Sequence, residues 1–255
     1  MLTKTAKTRL GDISLQIKHV EKTIPVIFLH GVYFDHTLWN YQIERISDRT
    51  IIAIDMPYHG KSKNITKKNW TLDDCASMLI EILDSLKIEK VFAIGHSWGS
   101  MTILRAANKA PEKFQSIGFC NMPFEEATGK IKRQFMMQHF LLPFRGFYTK
   151  QVAKALYGKQ TFENNPELLE HLELSMNKLT NEELKQTDKS VIISADNGEP
   201  LIQSLKVPAI ALKGKEDYVP VSELLQTKIV EGGHVSPIEV PEEVSTFVKE
   251  VIEMK

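Results

Sequence analysis

Three residue types that cooperate in nucleophilic catalysis occur along this chain in settings that suit the task. Ser97 lies within Gly95-His96-Ser97-Trp98-Gly99, Asp217 follows Gly214-Lys215-Glu216, and His234 follows Glu231-Gly232-Gly233. A serine hydroxyl does not ionise at neutral pH, so it attacks only beside a base whose pKa lies near the working pH, and imidazole meets that need. The imidazole in turn needs a carboxylate to fix its tautomer and to stabilise its charged form. Ser97, His234 and Asp217 are therefore the candidates for nucleophile, base and acid. The glycines two residues to either side of the serine suit a turn that brings chain segments close. The Trp98 N–H, at the start of the following helix, is free to donate to an oxyanion.

Such groups work only if the surrounding elements hold them at one place. Val91-Phe92-Ala93-Ile94 is apolar throughout, breaks at Gly95, and is followed by a helix-like stretch over 100–110, so Ser97 reads as strand, sharp turn, helix. Residues 24–29 and 50–54 are further continuously apolar strands, ending at His30-Gly31-Val32 and at Asp55-Met56-Pro57-Tyr58-His59-Gly60. Strands over 207–212 and 227–230 end just before Asp217 and His234. A strand over 115–120 follows the Ser97 helix, and 5–10 with 13–19 make an edge hairpin about Gly11-Asp12. Thr71-x-x-Asp74 resembles a capping box, with Leu72, Cys75, Met78, Leu79, Ile82 and Leu83 following at helical spacing. The alternation predicts an α/β fold: a mostly parallel sheet with helices on both faces and the ligand site at the strands' C-terminal ends.

Between 124 and 196 the alternation stops and the pattern becomes helical, with segments over 131–142, 149–157, 166–179 and 181–193. The expected organisation is a core of residues 1–123 and 197–255 with a helical cap over 124–196, ending in a helix from Pro241. The 255 residues, 42% of them hydrophobic, suffice for a full core, and Lys plus Arg match Asp plus Glu at 32 each. That balance predicts no field to attract nucleic acid or an anionic membrane, and no apolar run is long enough to span a bilayer. Residues 1–7 lack the apolar stretch of a signal peptide, and Cys75 and Cys120 read as small core residues, so a cytoplasmic protein is expected. His and Cys spacings of the kind that bind zinc do not occur.

Joined in order, His30-Gly31, Asp55-x-Pro57-x-His59-Gly60-x-Ser62, Gly95-His96-Ser97-Trp98-Gly99, Gly214-x-x-Asp217 and Gly233-His234 resemble the α/β-hydrolase superfamily. The resemblance covers nearly the whole chain. It implies about eight strands, Ser97, Asp217 and His234 as nucleophile, acid and base, an oxyanion hole from the N–H groups of Val32 and Trp98, and neither metal nor organic cofactor. Because the nucleophile is serine, the branches that need an aspartate there are disfavoured. Esters, lactones, amides and C–C bonds remain, with a small or medium carboxylic ester or lactone preferred. Cleavage of a diketone-like C–C bond and a small-molecule receptor role are the alternatives. Tyr33, Phe135, Met136 and Phe140 are expected to touch the small-molecule substrate; the oligomeric state is open. Only sixteen residues separate Asp217 from His234, room for about a turn and a half of helix over 221–226. The rival acid is Glu125 or Glu126, after the Cys120 strand.

Overall fold

A computed structural model describes residues 1–254. One sheet holds eight strands, β1 (Leu2–Thr8), β2 (Gly11–Lys18), β3 (Val26–Leu29), β4 (Ile51–Ile54), β5 (Val91–His96), β6 (Phe114–Cys120), β7 (Ala209–Gly214) and β8 (Thr227–Val230). Their order is β1-β2-β4-β3-β5-β6-β7-β8. β2 runs antiparallel to both β1 and β4, and every other neighbouring pair is parallel. Every residue of β3, β4 and β5 is buried, which is why those runs carry no alternation.

The helices are α1 (Asn40–Glu44), α2 (Leu72–Ser85), α3 (Trp98–Lys109), α4 (Gly129–Gln138), α5 (Arg145–Leu156), α6 (Lys159–Asn164), α7 (Glu167–Met176), α8 (Asn181–Asp188), α9 (Glu199–Gln203), α10 (Ser236–Glu239) and α11 (Pro241–Glu253). α2 starts at the expected capping box: Thr71 Oγ1 accepts the Asp74 N–H at 3.3 Å and the Asp74 carboxylate accepts the Thr71 N–H at 3.0 Å. α2 packs on α3, while α1, α10 and α11 pack on one another, so the sheet is covered by two separate groups of helices. α11 buries Val244, Phe247, Val248 and Val251, each contributing roughly 1.5–3 kcal/mol. From Cys120 to Ala209 the described chain forms helices and no strand.

The structure differs from the sequence expectations at the hairpin turn and over 181–193. The hairpin turns at Arg9 and Leu10, not at Gly11-Asp12; Gly11 already pairs with Thr8, and Leu10 is buried beneath the turn. The segment over 181–193 is not one regular helix, because α8 passes into a wider π-type turn over Lys189–Ile193. Residues 215–226, where the short spacing from Asp217 to His234 leaves little room, form no helix. Lys213 reaches over that loop instead, its Nζ donating to the carbonyls of Asp217 at 3.2 Å and Val219 at 2.5 Å, and Pro220 has no N–H to give a helix. That edge is consequently thinly covered, with Val221, Leu224 and Ile229 exposed.

Candidate active site

Ser97 joins β5 to α3 with φ 49° and ψ −113°, a strained conformation for a side chain with a Cβ. Neighbouring backbone accounts for the flanking glycines. A Cβ on Gly95 would stand 2.4 Å from Ser100 N, and one on Gly99 would stand 2.3 Å from the Leu29 carbonyl oxygen. The Ser97 N–H donates to Cys120 O at 2.9 Å, which fastens the turn to the end of β6.

His234 lies between the other two groups. Its Nε2 is 3.0 Å from Ser97 Oγ, and its Nδ1 is 2.9 Å from Asp217 Oδ1. With Nδ1–H donating to the carboxylate, Nε2 is left as the acceptor of the serine proton. Asp217 Oδ1 also accepts the Val219 N–H at 3.1 Å, and Oδ2 accepts from Asn121 Nδ2 at 2.8 Å. Burial alone would raise the Asp217 pKa; the His234 ring beside it and these hydrogen bonds outweigh burial and hold the carboxyl below its ordinary range. The three side chains are buried, with Ser97 and Asp217 each 8% exposed and His234 3%.

Asn121 was not foreseen. It follows β6 with φ 51°, and its amide also donates to Gly233 O at 3.1 Å, so it ties Asp217 to the loop that carries His234. The rival acids stand elsewhere: Glu125 and Glu126 are exposed, and Glu126 pairs with Lys132 at 2.7 Å. The strand after α3 thus supplies an amide at the point where a second carboxylate was entertained. Nothing in the sequence around Asn121 marks it, because an asparagine after a strand is ordinary turn chemistry.

Tyr218 and His96 contact the imidazole from opposite ends. The Tyr218 ring stacks on it with centroids 4.6 Å apart at 24°, and its Oη is 3.3 Å from Nε2. His96 Nε2–H donates to the His234 carbonyl at 2.7 Å, and burial followed by the nearby His234 pushes the His96 pKa down to about 3. His96 is a neutral strut under the His234 backbone.

Glu239 is a second group that sequence reasoning left without a role. Its Oε2 accepts the N–H groups of Gly158 at 2.8 Å and Gly233 at 2.9 Å and the Thr161 hydroxyl at 2.5 Å, while Oε1 accepts the Val235 N–H at 2.9 Å. The His234 N–H itself donates to Leu156 O at 2.6 Å. One carboxylate therefore locks the residues flanking His234 to the junction of α5 and α6.

The N–H groups of Val32 and Trp98 make no hydrogen bond among the described residues. Val32 belongs to a loop wired by two imidazoles. His30 donates from Nδ1 to Gly31 O at 2.7 Å and accepts the Met56 N–H at 2.9 Å, and His59 accepts the Tyr33 N–H at 3.2 Å. The residues expected to touch substrate divide. Tyr33 has φ 76° and is buried, but its hydroxyl already donates to Asp188 at 3.0 Å and lies 3.4 Å from Tyr148 Oη. Asp188 also meets His139 Nε2 at 2.9 Å, and burial raises its pKa. Met136 on α4 and Phe140 in the short turn after it are 52% and 81% exposed, and Phe135 is half-buried. Among the described residues, no three His, Cys, Asp or Glu side chains converge in a way that would hold a metal ion, and no helix is long and apolar enough to cross a membrane.

Comparison with known proteins finds similarity over part of the chain in sequence and over nearly all of it in fold. A family model described as alpha/beta hydrolase fold covers residues 24–142. The 3-oxoadipate enol-lactonase 1 of Acinetobacter baylyi is 31% identical over 110 residues, which are 43% of this chain and 41% of that protein. The matches span only 25% to 42% of the length of the first curated relatives. Among solved structures, a thermophilic esterase from Thermogutta terrifontis superimposes with a TM-score of 0.85 at 21% identity, over 99% of this chain and 98% of that one. The enol-lactonase from Burkholderia xenovorans gives 0.87 at 16%, over 98% and 100%. At those identities the structures speak for the fold alone, and with the sheet order they show that the chain has the α/β-hydrolase fold.

Proposed function

We propose that the protein is a serine hydrolase of small or medium carboxylic esters or lactones, working through an acyl-enzyme. The reading rests on one observation, the continuous hydrogen-bonded path Ser97 Oγ, His234 Nε2, His234 Nδ1, Asp217 Oδ1. Ser97 Oγ bonds to the acyl carbon while its proton passes to His234 Nε2, and the oxyanion accepts from the N–H groups of Val32 and Trp98. The carbonyl re-forms as the alkoxy group leaves with the proton from His234. Water then repeats the attack, giving its proton to His234, and the carboxylic acid departs from Ser97. The esterase and lactonases named above support an acyl substrate.

Residues 124–196 act in this reading as a cap over the site. Tyr148 and Asp188 meet Tyr33 beside the proposed oxyanion hole, with His139 on Asp188, and Leu156 and Gly158 meet the loop of the base.

A fluorophosphonate probe should label Ser97, and Ser97→Ala should abolish both labelling and turnover. A panel of esters, lactones and amides should place the highest kcat/KM among the first two. Labelling that survives the substitution would sink the assignment.

A further inference from the structure

The zero net charge of the chain conceals a strong local segregation. From Ala127 to Phe162 there are seven Lys and Arg residues and neither Asp nor Glu. Lys132 is held by Glu126, but Lys130, Arg133, Lys150 and Lys154 are exposed and make no ion pair among the described residues. The same segment carries the densest group of exposed apolar side chains in the molecule: Met136 52%, Met137 62%, Phe140 81%, Phe144 68% and Phe147 54%, all within twelve residues.

Charge and apolar surface share faces. Lys130, Arg133 and Met137 follow at i, i+3 and i+7 along α4, and Phe147, Lys150 and Lys154 follow at the same spacing along α5. The other side of α5 is used up, since Tyr148, Thr149, Val152 and Ala153 are buried. The surface is also open: a Cβ added at Gly129 or Gly146 would meet nothing within 4 Å.

We propose that this face of α4 and α5 docks on an anionic lipid surface, with the phenylalanines and methionines entering the acyl boundary and the cations meeting phosphate headgroups. Exposed aromatics among unpaired Lys and Arg on an open helical surface are what such an interface selects, because the long cationic side chains reach the headgroups while the rings are buried. A symmetric contact with a second copy would set these cations against one another, and a protein groove that accepted them would have to be both acidic and apolar. The expectation drawn from net charge is thereby revised: the field cancels over the whole molecule but not over this face.

The test is co-sedimentation of the full chain with vesicles of phosphatidylcholine alone or mixed with phosphatidylglycerol. Binding is expected to the mixed vesicles, and to weaken at least about tenfold on going from roughly 0.1 to 0.5 M salt, where the screening length halves. The triple variants Met137→Ser/Phe144→Ser/Phe147→Ser and Arg133→Glu/Lys150→Glu/Lys154→Glu should each lower the partition coefficient about a hundredfold. All six side chains are exposed or at the surface of their helices, and melting curves check that the variants fold. Failure to pellet with mixed vesicles at low salt overturns the proposal. So does equal binding to neutral vesicles that charge reversal leaves unchanged. A dimer that both triple variants dissolve, without vesicle binding by the parent chain, would assign the face to a second copy instead.

Discussion

Asp217 accepts from three donors, His234 Nδ1–H, the Val219 N–H and Asn121 Nδ2, and they can be weakened separately. Asp217→Asn keeps the shape but presents an amide where the imidazole needs an acceptor, so kcat should fall by about three to four orders of magnitude. Asn121→Ala leaves the carboxylate in place with one donor fewer and frees the Gly233 carbonyl; a loss of about tenfold in kcat is expected, since one hydrogen bond to a charged group is worth roughly 1.5–3 kcal/mol. Glu125→Gln and Glu126→Gln should retain nearly full activity. Steady-state kinetics on one ester decides among these, and a large loss at Glu125 or Glu126 with little at Asp217 would move the acid to the other loop. At this scale the sequence was legible where chemistry restricts residue type. Ser97, Asp217 and His234 each need a particular functional group at a strand end, whereas Asn121 and Glu239 act through hydrogen bonds that several residue types make in many loops. Only the folded chain reveals that those two groups converge.

α10 is four residues long, yet its last residue, Glu239, decides how the base is held. Four donors converge on one buried carboxylate, two from residues adjoining His234 and two from the start of α6. Glu239→Gln keeps the volume but puts an amide N–H₂ where only acceptors fit, so at least one of Gly158, Gly233, Val235 and Thr161 loses its acceptor and meets another donor. The expected outcome is a lower kcat with KM changed less, because the imidazole is loosened before the pocket is. The melting temperature should also fall by roughly 5 °C or more, from about 2–3 kcal/mol of lost interaction at this chain length. Glu242→Gln, on the exposed part of α11, is the matched control. Equal kcat for the two variants would mean that His234 is positioned without Glu239. Long elements were legible because apolar periodicity is repeated several times in them: β3 to β6, α2 and α11 lie within a few residues of expectation. α6, α9 and α10 span at most six residues, too few for periodicity to register, and the spacing over 215–226 indicates a short connection without showing that Lys213 bonds its carbonyls.

For the molecule as a whole, buried imidazoles set the response to acid. Burial, reinforced by His30, pushes the His59 pKa down to about 3, and burial, reinforced by His234, does the same to His96; burial also lowers His30 and His171. In the unfolded chain these rings take up protons near the model value of about 6.5, so between there and about pH 3 the unfolded state binds more protons than the native one. Stability is therefore complete above about pH 6.5 and declines as pH falls, by up to about 1.4 kcal/mol per pH unit for each of His59 and His96. Two groups act in the opposite sense. Asp188, raised by burial, keeps its proton longer in the native state and offsets part of the loss, while His36 is desolvated but more strongly favoured as a cation by Asp55 at 2.7 Å, so its contribution is lost as pH rises through its native value. Four depressed histidines outweigh one raised carboxyl over the acid side. Lowering the pH from 6 to 5 should then cost about 2–3 kcal/mol and reduce the melting temperature by roughly 5–10 °C. His59→Gln, which can still accept the Tyr33 N–H, should be less stable at pH 7 yet show a shallower decline, because one proton-binding difference has been removed. Calorimetric melts from pH 5 to 8 measure both slopes, and a melting temperature that stays level from 6.5 to 5 would mean that these imidazoles accept protons in place within the native structure.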